Sequence, residues 1–251
     1  MQDVYWYKKV WSLDIKDAAW VEDTENQVDF IIKTLRLKGN ERILDLACGY
    51  GRHSLSLARR GYSVVGIDIT KDYIEDAIKN AKENGFTAEF IHSDIRDVKY
   101  NNEFDVVLNL ADGAIGYLET DKENLKIFDV IAGALKLGGK HFMDVCNAEH
   151  AELYFPKRNW EIGEKEIALA DFDWIPETRR MLYGSSGIRF GEIVQKPDIT
   201  PENPTRLYSK AELSVILKER GMEIVSAFSD YYGKPDSNKD IQLMVYSKKV
   251  S

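Results

Sequence analysis

The chain has 251 residues, 34 of them basic and 42 acidic, for a formal net charge of −8. Hydrophobic residues make up 44% and charged residues 30%, an ordinary globular composition that excludes collagen-like, disordered and repeat-biased chains. The acidic balance argues against nucleic acid as the main partner, because a duplex binder needs a basic footprint. The two cysteines, Cys48 and Cys146, are too few for a disulfide framework and lack zinc-ligand spacing. No metal site is expected, and a reducing cytoplasm is the expected compartment. The opening decapeptide MQDVYWYKKV has no apolar signal core. No run of about 18 apolar residues is present to cross a bilayer, so no membrane is expected.

Residues 1–40 read as an aromatic-rich helical segment carrying Tyr5, Trp6, Tyr7, Trp11 and Trp20. They are expected to fold over a site as a lid. Thr24-Glu25-Asn26-Gln27 has the spacing of a capping box, followed by a helix with Val28, Ile31, Ile32 and Leu35 on one face. From Glu41 the pattern alternates. Short apolar runs at 42–47, 62–69, 88–92, 104–110 and 140–145 read as strands. Helical stretches separate most of them, one opened by a second capping box at Thr120-Asp121-Lys122-Glu123 and closed at Gly138-Gly139. After Cys146 the pattern breaks. Residues 148–206 hold Trp160, Trp174 and most of the prolines. Segments 164–173 and 179–183 there read as antiparallel strands, and the charged run 161–166 as a solvated face. Ser209-Lys210-Ala211-Glu212 is a third capping box, and two further strands, 223–229 and 241–247, end the chain as an antiparallel pair.

Strands alternating with helices predict an α/β fold: a doubly wound, seven-stranded, mostly parallel sheet with one antiparallel strand. The expected organisation is a cofactor-binding core of 41–147 and 207–251, with 148–206 inserted as a small antiparallel β subdomain.

The sharpest signal is Asp45-Leu46-Ala47-Cys48-Gly49-Tyr50-Gly51, where a strand becomes a helix. Two glycines let the backbone approach a ligand closely. Asp68, at the end of the next strand, suits a ribose diol. A dinucleotide fingerprint would place its third glycine at 54, where Ser54 stands. A carboxylate before the glycines would repel a diphosphate. The same carboxylate suits an amino group and a nearby sulfonium, which favours S-adenosylmethionine over NAD.

These motifs resemble the class I, Rossmann-like S-adenosylmethionine-dependent methyltransferases of the small-molecule type. LDLACGYGRHSLSLARRG matches the first family motif and VVGIDIT the second. FIHSDIRDV matches the third, and FDVVLNL and LKLGGKHFMDV the fourth and fifth. The resemblance implies that Asp45 meets the methionine amino group and that Ala47, Gly49 and Gly51 line the methionine and ribose. It implies that Asp68 binds the ribose hydroxyls and Ile69 packs on the adenine. Asp94 and the Ile95 N–H would face the adenine edge, and Asn109 and Leu110 the methionine end. His53 stands where the family usually has a further glycine. The implied activity is in-line methyl transfer to a nitrogen or oxygen of a small molecule, with S-adenosylhomocysteine as product.

A base is needed only if the acceptor must shed a proton. Asp112, Tyr117 and His150 are the candidates, with His53 behind them. An acceptor pocket is expected from 111–117, the insertion and the aromatic N-terminus, in a monomer or homodimer. An NAD-linked oxidoreductase, a non-catalytic nucleoside-binding module, and a tRNA or protein methyltransferase are the alternatives.

Overall fold

A computed structural model describes residues 5–251. Three short 3-10 turns (Trp6–Lys8, Leu13–Asp17 and Ala19–Val21) lead into helix α1 (Thr24–Leu35). The alternating part follows as β1 (Arg42–Leu46), α2 (Arg52–Arg59), β2 (Ser63–Asp68), α3 (Lys71–Asn84), β3 (Ala88–His92) and β4 (Phe104–Asn109). It ends with α4 (Asp121–Ala134) and β5 (Leu135–Cys146). A short helix α5 (Ala148–Tyr154) opens the insertion, which contributes β6 (Lys157–Ile162), β7 (Glu166–Ile175), β8 (Arg180–Arg189) and β9 (Asn203–Arg206). Helix α6 (Lys210–Lys218), β10 (Met222–Phe228) and β11 (Gln242–Lys249) close the chain.

The large sheet has seven strands in the order β10-β11-β5-β4-β1-β2-β3. Strands β1 to β5 pair in parallel, and β11 runs antiparallel to both of its neighbours. The order reverses between β1 and β4. Open α/β sheets take ligands in the crevice outside the carboxyl ends at such a switch point.

Period-two alternation sends successive side chains to opposite faces. Ile43, Val64, Val106 and Phe142 meet Val28, Ile31 and Leu35 of α1 and Leu57 of α2. Leu44, Leu46, Val107 and Met143 meet Phe128 and Ile131 of α4 and Leu213 and Leu217 of α6 on the other side. Each such burial contributes about 1.5–3 kcal/mol, which clamps the strands and fixes where their ends point.

Several local expectations change. Residues 6–21 form 3-10 turns and no α-helix: the buried Trp6 and Tyr7 turn to separate partners, the Trp6 Nε1–H donating to the Pro204 carbonyl at 3.2 Å and the Tyr7 hydroxyl to Glu119 at 2.8 Å. Thr24-Gln27 is not a capping box. The Thr24 hydroxyl donates to the Val21 carbonyl, and Arg52 takes both Thr24 Oγ1 and Gln27 Oε1. At Thr120 only the cap itself forms, since the Glu123 carboxylate goes to Arg96. Ser209 makes the complete box. Gly138-Gly139 lie inside β5 and do not end α4, which stops at Ala134.

The insertion is a four-stranded antiparallel sheet in the order β6-β7-β8-β9. Segments 164–173 and 179–183 fall in its two central strands. The edge strands β6 and β9 escape sequence patterning. One is charged and exposed, and the other carries Pro204, a residue that sheets tolerate at edges. In the charged run, Glu166 is buried and not solvated, and burial pushes its carboxyl up.

Candidate functional site

The turn after β1 has the left-handed backbone that its glycines permit, with φ +57° at Gly49 and +79° at Gly51. A Cβ on Gly51 would also lie 2.9 Å from the Phe90 ring, so a side chain is excluded twice over. Two carboxylates flank the turn. Asp68 accepts the Gly49 N–H at 2.9 Å on one oxygen and the Thr70 N–H at 2.8 Å on the other. Burial raises its pKa while these two donors oppose the rise. Asp45 is buried and accepts the Ser54 hydroxyl at 2.6 Å. Burial pushes it up to about 7, against the Ser54 bond and the nearby Arg52 charge.

These groups open onto a cavity of about 670 Å³ at the switch point. Asp45, Ala47, Gly49, Asp68, Ile69, Asp94, Ile95 and Leu110 all stand on its wall. Gly51 does not; it shapes the turn from behind. Asn109 is also off the wall, contrary to expectation. Its amide donates to the Gly113 carbonyl at 3.0 Å and its oxygen faces His141 Nε2 at 3.3 Å. Asp94 is on the wall but already paired. Both of its oxygens take donors from Arg96, which also holds Glu119 at 3.1 Å and Glu123 at 2.7 Å. Burial would raise the Asp94 pKa, but the Arg96 guanidinium holds it below the usual carboxylate range.

The far end of the cavity begins at a strained turn. Ala111, Asp112, Gly113 and Ala114 all have positive φ, from 50° to 68°. Left-handed backbone costs about 1–2 kcal/mol per non-glycine residue, and such strain persists only where its surroundings impose it. Here the Asn109 amide and a bond from the Asp112 N–H to the Asp144 carbonyl (2.8 Å) impose it. A Cβ on Gly113 would lie 2.5 Å from that of Asn109.

The turn puts Asp112 and Tyr117 together on the wall, with the Tyr117 hydroxyl donating to Asp112 Oδ2 at 3.0 Å. The Cys146 N–H donates to the other oxygen at 3.2 Å, and burial raises the Asp112 pKa. Beside it Asp144, at the end of β5, accepts the Tyr231 hydroxyl at 2.7 Å and the Gln242 amide. Burial pushes Asp144 up to about 7.

Trp6 and Trp11 stand against Tyr117, with ring centroids 4.8 and 6.1 Å from it. From the insertion, Phe172, Met181 and Tyr183 complete this end. His53 is on the wall with its Nε2 engaged 2.8 Å from Gln27 Oε1, and burial with the Arg52 charge lowers its pKa well below the usual value. His150 is not on the wall. It belongs to α5, where its ring stacks on Tyr154 of the same helix at 4.6 Å.

Sequence reasoning missed Asp144 and Arg52. Asp144 carries the same signal as Asp45 and Asp68, an acid at the carboxyl end of a core strand. Arg52 directly follows the glycine turn; its guanidinium is spent on Thr24 (2.7 Å) and Gln27 (2.6 Å) and lies 5.2 Å from the Trp20 ring. A second groove of about 940 Å³, between α1 and β10, shares only Tyr231 and Tyr232 with the cavity and none of the strand-end acids. Among the described residues, no group of His, Cys, Asp and Glu is placed to hold a metal. No helix among them is long and apolar enough to cross a membrane.

Residues 37–211 match the family described as "Methyltransferase domain". A protein of Geobacillus sp. (strain WCH70), named as a methyltransferase, is 27% identical over 65% of this chain and 64% of its own length. A crystal structure of an S-adenosylmethionine-dependent methyltransferase from Clostridium acetobutylicum superposes with TM-score 0.75 at 18% identity, covering 98% of this chain and 97% of that one. The Burkholderia thailandensis 1,6-didemethyltoxoflavin-N1-methyltransferase, solved with its acceptor and S-adenosylhomocysteine bound, gives 0.64 at 14% identity over 99% of this chain and 88% of its own.

Proposed function

The chain belongs to the class I S-adenosylmethionine-dependent methyltransferases, and on that premise we propose that its acceptor is a nitrogen or oxygen of a small molecule. The observation that carries this reading is the lining of the far end of the cavity. The N-terminal turns, the strained turn and the insertion line it together in a cavity of about 670 Å³, a size that suits a compact molecule. The Burkholderia relative acts on a small heterocycle, which supports the same reading.

The near end fits the cofactor. A turn without a side chain at Gly49 leaves backbone open to it, and the Asp68 carboxylate, with the Gly49 N–H, the Thr70 N–H and the Thr70 side chain on it, keeps an acceptor site for a ribose hydroxyl. Asp45 is the group for the methionine ammonium, and Ile69, Asp94 and Ile95 for the adenine. When bound, S-adenosylmethionine supplies an electrophilic methyl carbon, whose electron pair leaves on sulfur. The protein's own work is to align the acceptor and exclude water, and orientation of this kind is worth about 7–11 kcal/mol. Residues 5–21 act as a lid. Trp6 and Trp11 cover the far end, and the Tyr7 hydroxyl ties the segment to Glu119 at 2.8 Å.

Calorimetry with S-adenosylhomocysteine, followed by transfer of isotope-labelled methyl to a small-molecule library, tests this reading. Binding with label incorporated into a small molecule supports it. Label found only in RNA or protein refutes it.

A further inference from the structure

The wall of the cavity carries eight carboxylates: Asp23, Asp45, Asp68, Asp94, Asp112, Asp144, Glu161 and Asp230. Arg52 is the one lysine or arginine among the described lining residues, and its guanidinium already serves Thr24 and Gln27. Asp94 is neutralised from outside by Arg96. The cofactor end accounts for Asp45 and Asp68. Of the five that remain, Asp112 and Asp144 stand together at the strand ends, beside Tyr117 and Tyr231, with no cation of the protein hydrogen-bonded to them. Each is instead held by neutral donors: Tyr117 and the Cys146 N–H on Asp112, Tyr231 and Gln242 on Asp144. The Cys146 thiol on Asp112 and the Ala111 N–H on Asp144 bring each to three donors, which leaves each carboxylate about one of its four acceptor sites. Tyr117, whose hydroxyl Asp112 holds, packs with Trp6 and Trp11 on the same wall, and aromatic rings attract cations.

An acceptor that enters as a carboxylate, phosphate or phenolate would bring a further negative charge beside two buried acids, of which Asp144 has only the engaged Arg52 charge nearby to offset it. A neutral alcohol would bring no counter-ion to those acids, whose burial disfavours their charged forms. A protonated amine answers both, with donors for the two carboxylates and a cation for the rings.

Building on the methyltransferase reading, we propose that the acceptor is an amine, seated as its ammonium form between Asp112, Asp144 and the Trp6–Trp11–Tyr117 wall. Asp112 then serves as the base. One ammonium proton passes to its carboxylate, and the freed nitrogen pair forms the bond to the methyl carbon as the carbon–sulfur pair returns to sulfur. The proton returns to solvent when product leaves.

The test uses the full chain saturated with S-adenosylhomocysteine and titrates benzylamine, benzyl alcohol and benzoate by calorimetry. Benzylamine is expected to bind about tenfold or more tightly than benzyl alcohol, the size of a charge-assisted hydrogen bond, with benzoate weakest. Asp112→Asn and Asp144→Asn are each expected to erase that preference while S-adenosylhomocysteine affinity stays within about threefold. Equal affinities, tighter benzoate, or no benzylamine binding to the saturated protein overturns the proposal. The wild-type comparison stands even if a variant fails to fold. Failure of S-adenosylhomocysteine to bind would instead remove the underlying assignment of the cofactor end.

Discussion

The two ends of the cavity are made by different means. The cofactor end is local: Asp45, the glycine turn and Asp68 lie within two consecutive strand ends, and the Asp68 carboxylate bonds backbone N–H groups within twenty residues of itself. The acceptor end draws on distant parts of the chain. Trp6 reaches Pro204, Asp144 reaches Tyr231, and Asn109 braces a left-handed turn. Short-range construction makes a conserved geometry easy to specify. Long-range construction lets one wall change without disturbing the other. The two ends are therefore expected to respond separately to substitution.

The largest effect should come from Asp68→Ala. Loss of a charged acceptor for a ribose hydroxyl, and of the clamp on the Gly49 turn, is expected to weaken S-adenosylmethionine binding by about 100-fold or more. The far-ultraviolet circular dichroism should stay native. Unchanged affinity by calorimetry would break the assignment of the cofactor end.

Asp112→Asn should show the opposite pattern, with turnover down about 100-fold, the usual weight of a general base, and cofactor affinity nearly unaltered. A parallel loss of cofactor affinity would mean that the two ends are not independent.

A third test uses pH. Burial pushes Asp45 up to about 7, so below that value it is protonated and offers no charge to an ammonium. Cofactor affinity should therefore rise by about tenfold from pH 6 to pH 8 and then level off. The ligand-free protein should show the reverse. Folding favours the protonated form of this buried acid, so the associated stability is lost as pH climbs through 7. A flat binding profile would contradict the role given to Asp45.

The smallest effect is expected from Trp11→Ala. Removing its stack on Tyr117 should raise the acceptor KM about threefold to tenfold, the worth of an aromatic pair, with the dissociation constant of the cofactor unmoved. Steady-state kinetics at saturating S-adenosylmethionine would show whether the N-terminal rings touch the acceptor at all.

The same contrast explains what could be read from the sequence. The seven-strand core, the glycine turn and its acids are written in runs of under ten residues, where propensity and period dominate. Thr24-Gln27 has the letters of a capping box, but a cation 25 residues away offers Gln27 a stronger bond than the helix end does. Asn109 ends its strand like a ligand-facing residue; only the bend at 111–114, invisible in one dimension, turns it to the Gly113 carbonyl. Asp144 ends its strand as Asp45 and Asp68 do, but the partners that define its surroundings, Tyr231 and Gln242, arrive from the far end of the chain.

The backbone joint between Gly116 and Arg206 has one more implication. The Arg206 N–H donates to the Gly116 carbonyl at 2.8 Å, and a Cβ on Gly116 would lie 2.0 Å from the Arg206 carbonyl oxygen. The last strand of the insertion is thus welded to the segment that carries Tyr117. Grafting a relative's insertion onto this scaffold would drag that segment along. New acceptor preferences are accordingly easier to reach by exchanging individual side chains such as Phe172, Met181 or Tyr183 than by transplanting the module whole.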